Sequence, residues 1–453
     1  MTVIAEEVPN SIPEKKIIFL WSFAVWLVVM NTTMFNVALP TVMTDLALTS
    51  TTASWIISSY SIVFAIGTLT YSRLSDYIPI ARLLFIGLIM VGSASIIGFF
   101  AHEFYLLLLA RIFQAAGAGA VLGLGLVLAS KYIPLSRRGR AMAFISSAAS
   151  LGFGLGPVIG GAITEYLGWN YLFAVTAIVF FLLPFFHRLL PKEQVTRGKF
   201  DVVGALLTGV CVTSSLLFFT SFSFYVLAVT IVVAILLIIH IQKVKMPFLR
   251  PELFSHHQYA KLLYVGFIVF TLHFSTLFMM PIILTDVYKM DAARVGLIIF
   301  PGAILSAVAA QVIGRIIDRF GNMPLFLTGH GLLLISTILF SLTAQVSPLS
   351  IMFSYMFMSV GFSSLTASMS NEVTRILPAA SIGSGMGMLQ LCQLFGGAFG
   401  VTLSGVLLKM ERGIWPGFLY QEVFFYFTII VCTSFLTALF YRQKLNEKKS
   451  FTL

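Results

Sequence analysis

Gly314-Arg315-Ile316-Ile317-Asp318-Arg319-Phe320-Gly321 separates two long apolar runs, and Ser72-Arg73-Leu74-Ser75-Asp76 does the same much earlier in the chain. The aspartates at positions 76 and 318 lie 242 residues apart, about eight helix-plus-loop units of roughly 30 residues when each span takes about 20. One polar connection therefore follows the second apolar span and recurs after the tenth. That recurrence predicts two six-helix bundles related by an internal repeat, with two further helices inserted between them. Half-repeats that enclose a site near the bilayer midplane are a transporter pattern.

The rest of the chain agrees with a membrane solvent. Of 453 residues, 58% are hydrophobic and 10% charged, whereas soluble domains carry about 25% charged residues. The mean hydropathy is +0.98. Cutting at charged and turn-forming clusters gives fourteen apolar runs, all expected to be helices because a spanning segment must satisfy its own backbone hydrogen bonds. The expected all-α membrane fold divides into a tail (1–16), a first six-helix bundle (17–190), a linker with two transmembrane helices (191–261), a second six-helix bundle (262–441) and a second tail (442–453). Glu6, Glu7 and Glu14 oppose Lys15 and Lys16 in the first tail, unlike the basic start of a signal peptide, so the first run is read as a retained span.

Charge then fixes an orientation. Of the 28 Lys and Arg, Lys289, Arg294, Lys409 and Arg412 fall on one side and Arg111 inside a span, which leaves 23 on the other side. Positive residues concentrate in cytoplasmic loops, so both tails are expected in the cytoplasm of a cell-membrane protein. This accounts for the net charge of +11 without nucleic acid. Cys211, Cys392 and Cys432 all lie in apolar runs, with no spaced pair that suggests a disulfide framework or zinc site. No phosphate-binding glycine loop, HExxH or clustered ligand set occurs. Neither enzyme chemistry nor a cofactor or metal is expected; the expected partners are a small-molecule substrate, protons and lipid, with the chain acting as a monomer.

Several residues stand out within the spans. Gly152, Gly156 and Gly160 are spaced by four and share one helical face, joined by Pro157 and Gly161; such a face admits a close helix neighbour, either as plain packing or as a seal that flexes. Arg111 is about 9 Å deep at 1.5 Å per residue, either facing a cavity or snorkelling outward, with Gln114 one turn on. Asp76 with Arg82, and Asp318 with Arg315 and Arg319 between Gly314 and Gly321, sit at helix ends as gating charges or as solvated loop charges. None of the 17 acids is central. The proton-coupling candidates are therefore Asp286 and Glu165 at outer helix ends, Asp201 near the inner surface, and mid-span His273, whose imidazole titrates near neutral pH but is also a plausible hydrogen-bonded core residue. Asn31, Asn36, Gln311, Gln390 and Gln393 complete the expected substrate pathway with Arg111, Gln114 and His273.

Gly152-Phe-Gly-Leu-Gly156-Pro157-Val-Ile-Gly160-Gly161, with Gly168-Trp169-Asn170 after it, resembles the antiporter signature of the major facilitator superfamily. Asn36-Val37-Ala38-Leu39-Pro40, Arg111-Ile-Phe-Gln114-Ala-Ala-Gly117 and Phe300-Pro301-Gly302 are similar to motifs of its fourteen-helix drug:proton antiporter branch, nearest to Gram-positive tetracycline and multidrug efflux proteins. The resemblance implies efflux of lipophilic or amphiphilic drugs, tetracycline-like compounds among them, by alternating access and proton antiport. The chain departs from that branch at Asn31, Phe153, Gly396 and Gly397, where members carry acids. An exporter of an endogenous metabolite or lipid-like compound, with altered or absent proton coupling, is the alternative.

Overall fold

The computed structural model describes residues 13–48, 50–191, 193, 200–244, 247–249, 251–290, 292–378, 381–409 and 419–450. Some side chains within these ranges, Asn36 and Gln311 among them, lie outside the description. The described residues form helices and no strand. The first set is α1 (Glu14–Asp45), α2 (Ser50–Leu74), α3 (Ile80–Phe99), α4 (Phe104–Tyr132), α5 (Leu135–Tyr166), α6 (Tyr171–Ala177) and α7 (Leu183–Leu189). Next come α8 (Val202–Ser221), α9 (Phe224–Lys243) and the short α10 (Pro251–Ser255). The second set is α11 (His257–Asp286), α12 (Ala292–Phe320), α13 (Met323–Thr343), α14 (Pro348–Ile376), α15 (Ile382–Lys409) and α16 (Leu419–Ser450).

Thirteen spans among the described residues are long and apolar enough to cross a membrane, against the fourteen expected. The difference is α8, which counts only as a shorter apolar helix over Val202–Ser215. A second difference lies in the sixth expected span, 171–190. It is broken by a 3-10 turn over Ile178–Leu182 that separates α6 from α7. Pro184 follows at the start of α7; it lacks an N–H and its ring crowds the carbonyl four residues back, so the regular ladder gives way just before it.

Packing repeats between the sets. α1 lies on α5, α2 on α4, and α3 on α4 and α6; correspondingly α11 lies on α15, α12 on α14, and α13 on α14 and α16. Small residues make these approaches possible where lipid supplies no hydrophobic drive between helices. On α5 the glycine row faces α1: a Cβ at Gly152 would sit 2.9 Å from the Met30 nitrogen, at Gly156 2.7 Å from the Met30 carbonyl, and at Gly160 2.7 Å from the Met34 Cα. On α15, a Cβ at Gly396 would lie 3.0 Å from the Phe267 Cα and at Gly400 2.6 Å from the Ser275 hydroxyl, both on α11. The α5 row therefore packs within its own set, and Gly161 is looser, with only Val37 at 3.5 Å. Gly154, one position off the row, instead faces Ala303 of α12.

Outer faces are apolar without partners. α3 exposes Ile86, Ile89, Ile96 and Ile97 while burying Gly87, Leu88, Val91 and Ala94, the stripe of a helix between protein and lipid. α9 is almost bare, with Ile231, Val232, Ile235, Leu236 and Ile238 all exposed. α12 ends where Gly321 turns left-handed at φ 79°, a conformation glycine adopts without steric cost.

Candidate functional site

The ends of α2, α4, α12 and α14 and the start of α5 gather Arg73, Lys131, Arg137, Arg138, Arg140, Arg315, Arg319 and Arg375 on one face, here termed the basic face. There the two sets meet. Arg73, 1% exposed, donates from Nη1 to Asp76 Oδ2 at 2.7 Å and to the Ser384 hydroxyl of α15 at 2.6 Å, and from Nη2 to the Pro247 carbonyl at 3.0 Å. Ser384 in turn donates to Asp76 at 2.9 Å. A Cβ at Gly387 would lie 2.8 Å from the Ser72 Cβ, which fixes how closely α15 approaches α2. On the other side of the seam, a Cβ at Gly314 would be 2.7 Å from the Arg140 Cα of α5. The Arg140 backbone N–H donates to Asp318 at 3.3 Å, and Arg138 donates to the Thr374 hydroxyl of α14 at 3.2 Å.

Both aspartates of the recurring motif thus reach the opposite set, but through partners other than those expected. Arg82 is exposed near the start of α3, and Arg73 takes the place beside Asp76. Arg315 and Arg319 are exposed, with Arg319 over the Phe320 ring at 5.1 Å, while Asp318 engages α5. The segment after α9 belongs to the same seam. Asp201 caps α8 by accepting from the Gly204 N–H at 2.8 Å and from the Phe248 N–H at 2.9 Å, with His240 of α9 at 2.9 Å. Burial alone would raise the Asp201 pKa, but Gly204, His240 and Phe248 overcome it and hold the carboxyl below its ordinary value.

Midway along the helices the sets enclose a cavity of about 30 Å³, room for two or three water molecules. Its walls come from α4 (Leu122, Leu126), α5 (Ile145, Ser146, Ala149, Phe153), α11 (Phe270), α14 (Phe362, Thr366) and α15 (Gln390, Gln393, Leu394). No charged side chain is among them. Directly behind Phe362 lies His273, near the middle of α11 and fully buried. Its ring stacks on Phe362 with centroids 3.8 Å apart at 10°, and Tyr355, Phe153 and Phe274 surround it at 6.2, 6.3 and 6.0 Å. Neither ring nitrogen has a hydrogen-bond partner. The aromatic enclosure was invisible as a motif in the sequence, because its members come from α5, α11 and α14.

Arg111 does not line this cavity. It is fully buried inside the first set, its guanidinium carbon 3.9 Å from the Tyr60 ring centroid and 4.0 Å from that of Phe35. Nη1 donates to Gln114 at 2.8 Å and to Asn31 at 3.3 Å, and Gln114 donates on to Ser95 at 2.9 Å. Arg111, Gln114 and Asn31 thus act as one unit joining α1, α2, α3 and α4. Nε and Nη2 keep no hydrogen-bond partner, and the two ring faces supply the cation–π attraction that a desolvated guanidinium needs. Asp286 is exposed at the end of α11, accepting from the Tyr420 hydroxyl at 3.0 Å, and Glu165 is exposed near the end of α5. The side chains of Asn36 and Gln311 lie outside the described residues.

Two like sets of long apolar helices, sealed to each other at one face and enclosing a site at mid-depth, define a polytopic membrane transporter. The chain belongs to the Major Facilitator Superfamily, whose family model matches residues 21–401 and, in a second overlapping match, 262–451. It is a transporter and not an enzyme. It is 28% identical over 399 residues to YwoD, an uncharacterized MFS-type transporter of Bacillus subtilis (strain 168), covering 84% of this chain and 87% of that one. The riboflavin transporter RibZ of Clostridioides difficile (strain 630) is 21% identical over 406 residues, covering 88% and 87% of the two chains. Among solved structures, the human organic anion transporter MFSD10 (TETRAN) shares the fold, with a TM-score of 0.72, 15% identity and coverage of 94% of this chain and 99% of that one.

Proposed function

We propose that this protein is a secondary active exporter of lipophilic or amphiphilic small molecules, working as a monomer by alternating access and proton antiport in the cell membrane. On this reading the basic face is cytoplasmic and both tails lie there. Residues 17–190 and 262–441 rock as two six-helix bundles, and α8 serves as the fourteenth span. The observation that carries the reading is the central cavity, apolar and contributed by both sets, which also meet at the basic face through Arg73–Ser384 and Arg138–Thr374. A cavity this small must enlarge to take a substrate, because small-molecule sites run to about 300 Å³ or more, so loading requires the sets to part. His273 is the proposed proton carrier. It stacks on Phe362, which lines the cavity, and the surrounding aromatic faces would attract its protonated ring.

Proteoliposomes holding the purified protein under an imposed pH gradient test this with tetracycline, ethidium and a quinolone. Proton flux that depends on one of these compounds, and that His273→Gln abolishes while substrate binding persists, is the expected result. Substrate movement without proton flux would remove the coupling. A second reading, export of an endogenous metabolite without proton coupling, draws on the absence of a carboxylate from the cavity wall and on the likeness to a riboflavin transporter.

A further inference from the structure

Resting on the export reading above, we infer that the central cavity selects neutral, planar, ring-fused compounds that carry an N–H beside a C=O on one edge, as a lactam or imide does. Gln390 and Gln393 sit three residues apart on α15, so they share one helical face, and both border the cavity. They are 2% and 3% exposed. Gln390 donates from Nε2 to the Leu122 carbonyl of α4 at 3.2 Å. A carbonyl can only accept, which fixes the orientation of that amide and turns its Oε1 away unpaired. Gln393 Nε2 has no partner either. Two amides bordering the cavity from one helical face therefore keep an unpaired buried oxygen on Gln390 and an unpaired buried nitrogen on Gln393. Buried polar groups are costly to leave unmade, and a ligand edge with an N–H and a C=O in matching order satisfies both at once.

The remaining walls set the shape and charge. Phe153, Phe270 and Phe362 come from three helices of both sets, with Phe270 and Phe362 centroids 4.9 Å apart. Flat apolar faces of this kind close on a planar ring system. No wall residue carries a charge, so an ion entering would lose its hydration with no counter-charge to replace it. Neutral compounds are favoured over cations and anions on that ground.

Phenanthridinone and its N-methyl derivative isolate the edge at nearly constant shape, and ethidium, a permanently cationic phenanthridinium with added phenyl, ethyl and amino groups, is the third probe. Binding to the full chain in nanodiscs would be read by fluorescence, and movement would be read in proteoliposomes. Phenanthridinone is expected to bind about tenfold more tightly than the N-methyl compound, the worth of one hydrogen bond to an otherwise unpaired group, with ethidium weaker than phenanthridinone. Gln393→Leu should bring the phenanthridinone to N-methyl ratio close to one. Gly266→Ala gives an independent check, since a Cβ there would lie 3.2 Å from the Gln393 Cγ and press on its side chain; the ratio should fall without any change in wall chemistry. Equal affinity of the wild-type protein for the two neutral compounds, or tightest binding of ethidium, overturns the edge readout and leaves export standing. Failure of all three probes to bind or move overturns both.

Discussion

Arg73→Ala should open the basic face. The guanidinium makes three hydrogen bonds, but the one to Asp76 joins the last turn of α2 to the turn after it and persists however the sets are arranged. Only the bonds to the Ser384 hydroxyl and the Pro247 carbonyl, at 2.6 and 3.0 Å, depend on the face being closed. Each is donated by a buried charge, worth about 1.5 kcal/mol at the low end for hydrogen bonds to charged groups. Their loss costs the closed arrangement about 3 kcal/mol, or roughly two decades in the equilibrium between closed and open forms. Nitroxide pairs at Arg82 and Arg375, both exposed near the basic face and on different sets, report this by electron-electron resonance as a shift toward longer distances. Arg73→Lys, which keeps the charge but loses the planar fork, should give an intermediate distribution. A distribution for Arg73→Ala that matches the wild type would refute the reasoning, because the two bonds across the seam would then contribute nothing to closure.

Other substitutions test the interior. Gly156→Leu places a branched side chain where even a Cβ meets the Met30 carbonyl at 2.7 Å; α1 must move off α5, and transport per membrane-inserted molecule should fall at least about tenfold. Arg111→Ala removes two ring contacts and two hydrogen bonds from the first set and should destabilise it by about 3 kcal/mol, read as a lower unfolding temperature in detergent; unchanged stability would show that the four-helix tie is idle. The carboxyl of Asp201 is held below its ordinary pKa, so its contribution to stability is complete above about pH 4 and is lost as pH falls through the lower folded value. Asp201→Asn should accordingly loosen the start of α8 at neutral pH, seen as faster amide exchange at Gly204, and should flatten the acid limb of that exchange.

Hydropathy made the spans legible, because a bilayer allows few solutions for an apolar run of about 20 residues. Segment 314–321 forms the last turns of α12 and ends at Gly321, whereas 72–76 runs from the end of α2 into the turn after it, and the glycine row on α5 packs closely on α1. Which groups meet was much less legible. Arg73 and Arg315 occupy the same place in the recurring motif, yet only Arg73 is buried, and the difference comes from Pro247 and Ser384, far away in sequence. Arg111 looked like a cavity residue because a lone intramembrane charge commonly is; Phe35 and Tyr60, with no spacing to announce them, enclose it instead. The stacked rings around His273 likewise come from helices that only tertiary packing brings together. Pro184 stands in the sequence, but the length and composition of a span do not register a local change of hydrogen-bond ladder.

The nearly bare α9 gives the bilayer a mechanical handle on the seam. At 20 residues and 1.5 Å per residue it is about 30 Å long, matched to an average hydrocarbon core, and its principal protein neighbour is α8. A thinner or thicker membrane must tilt or strain such a helix, and its end at Lys243 runs within a few residues of the Pro247 carbonyl that holds Arg73. Acyl-chain length should therefore act as a setting for how readily the basic face parts. Transport in vesicles of graded chain length should peak away from the thickness that best fits α9, and Arg73→Ala, with that tether cut, should flatten the dependence.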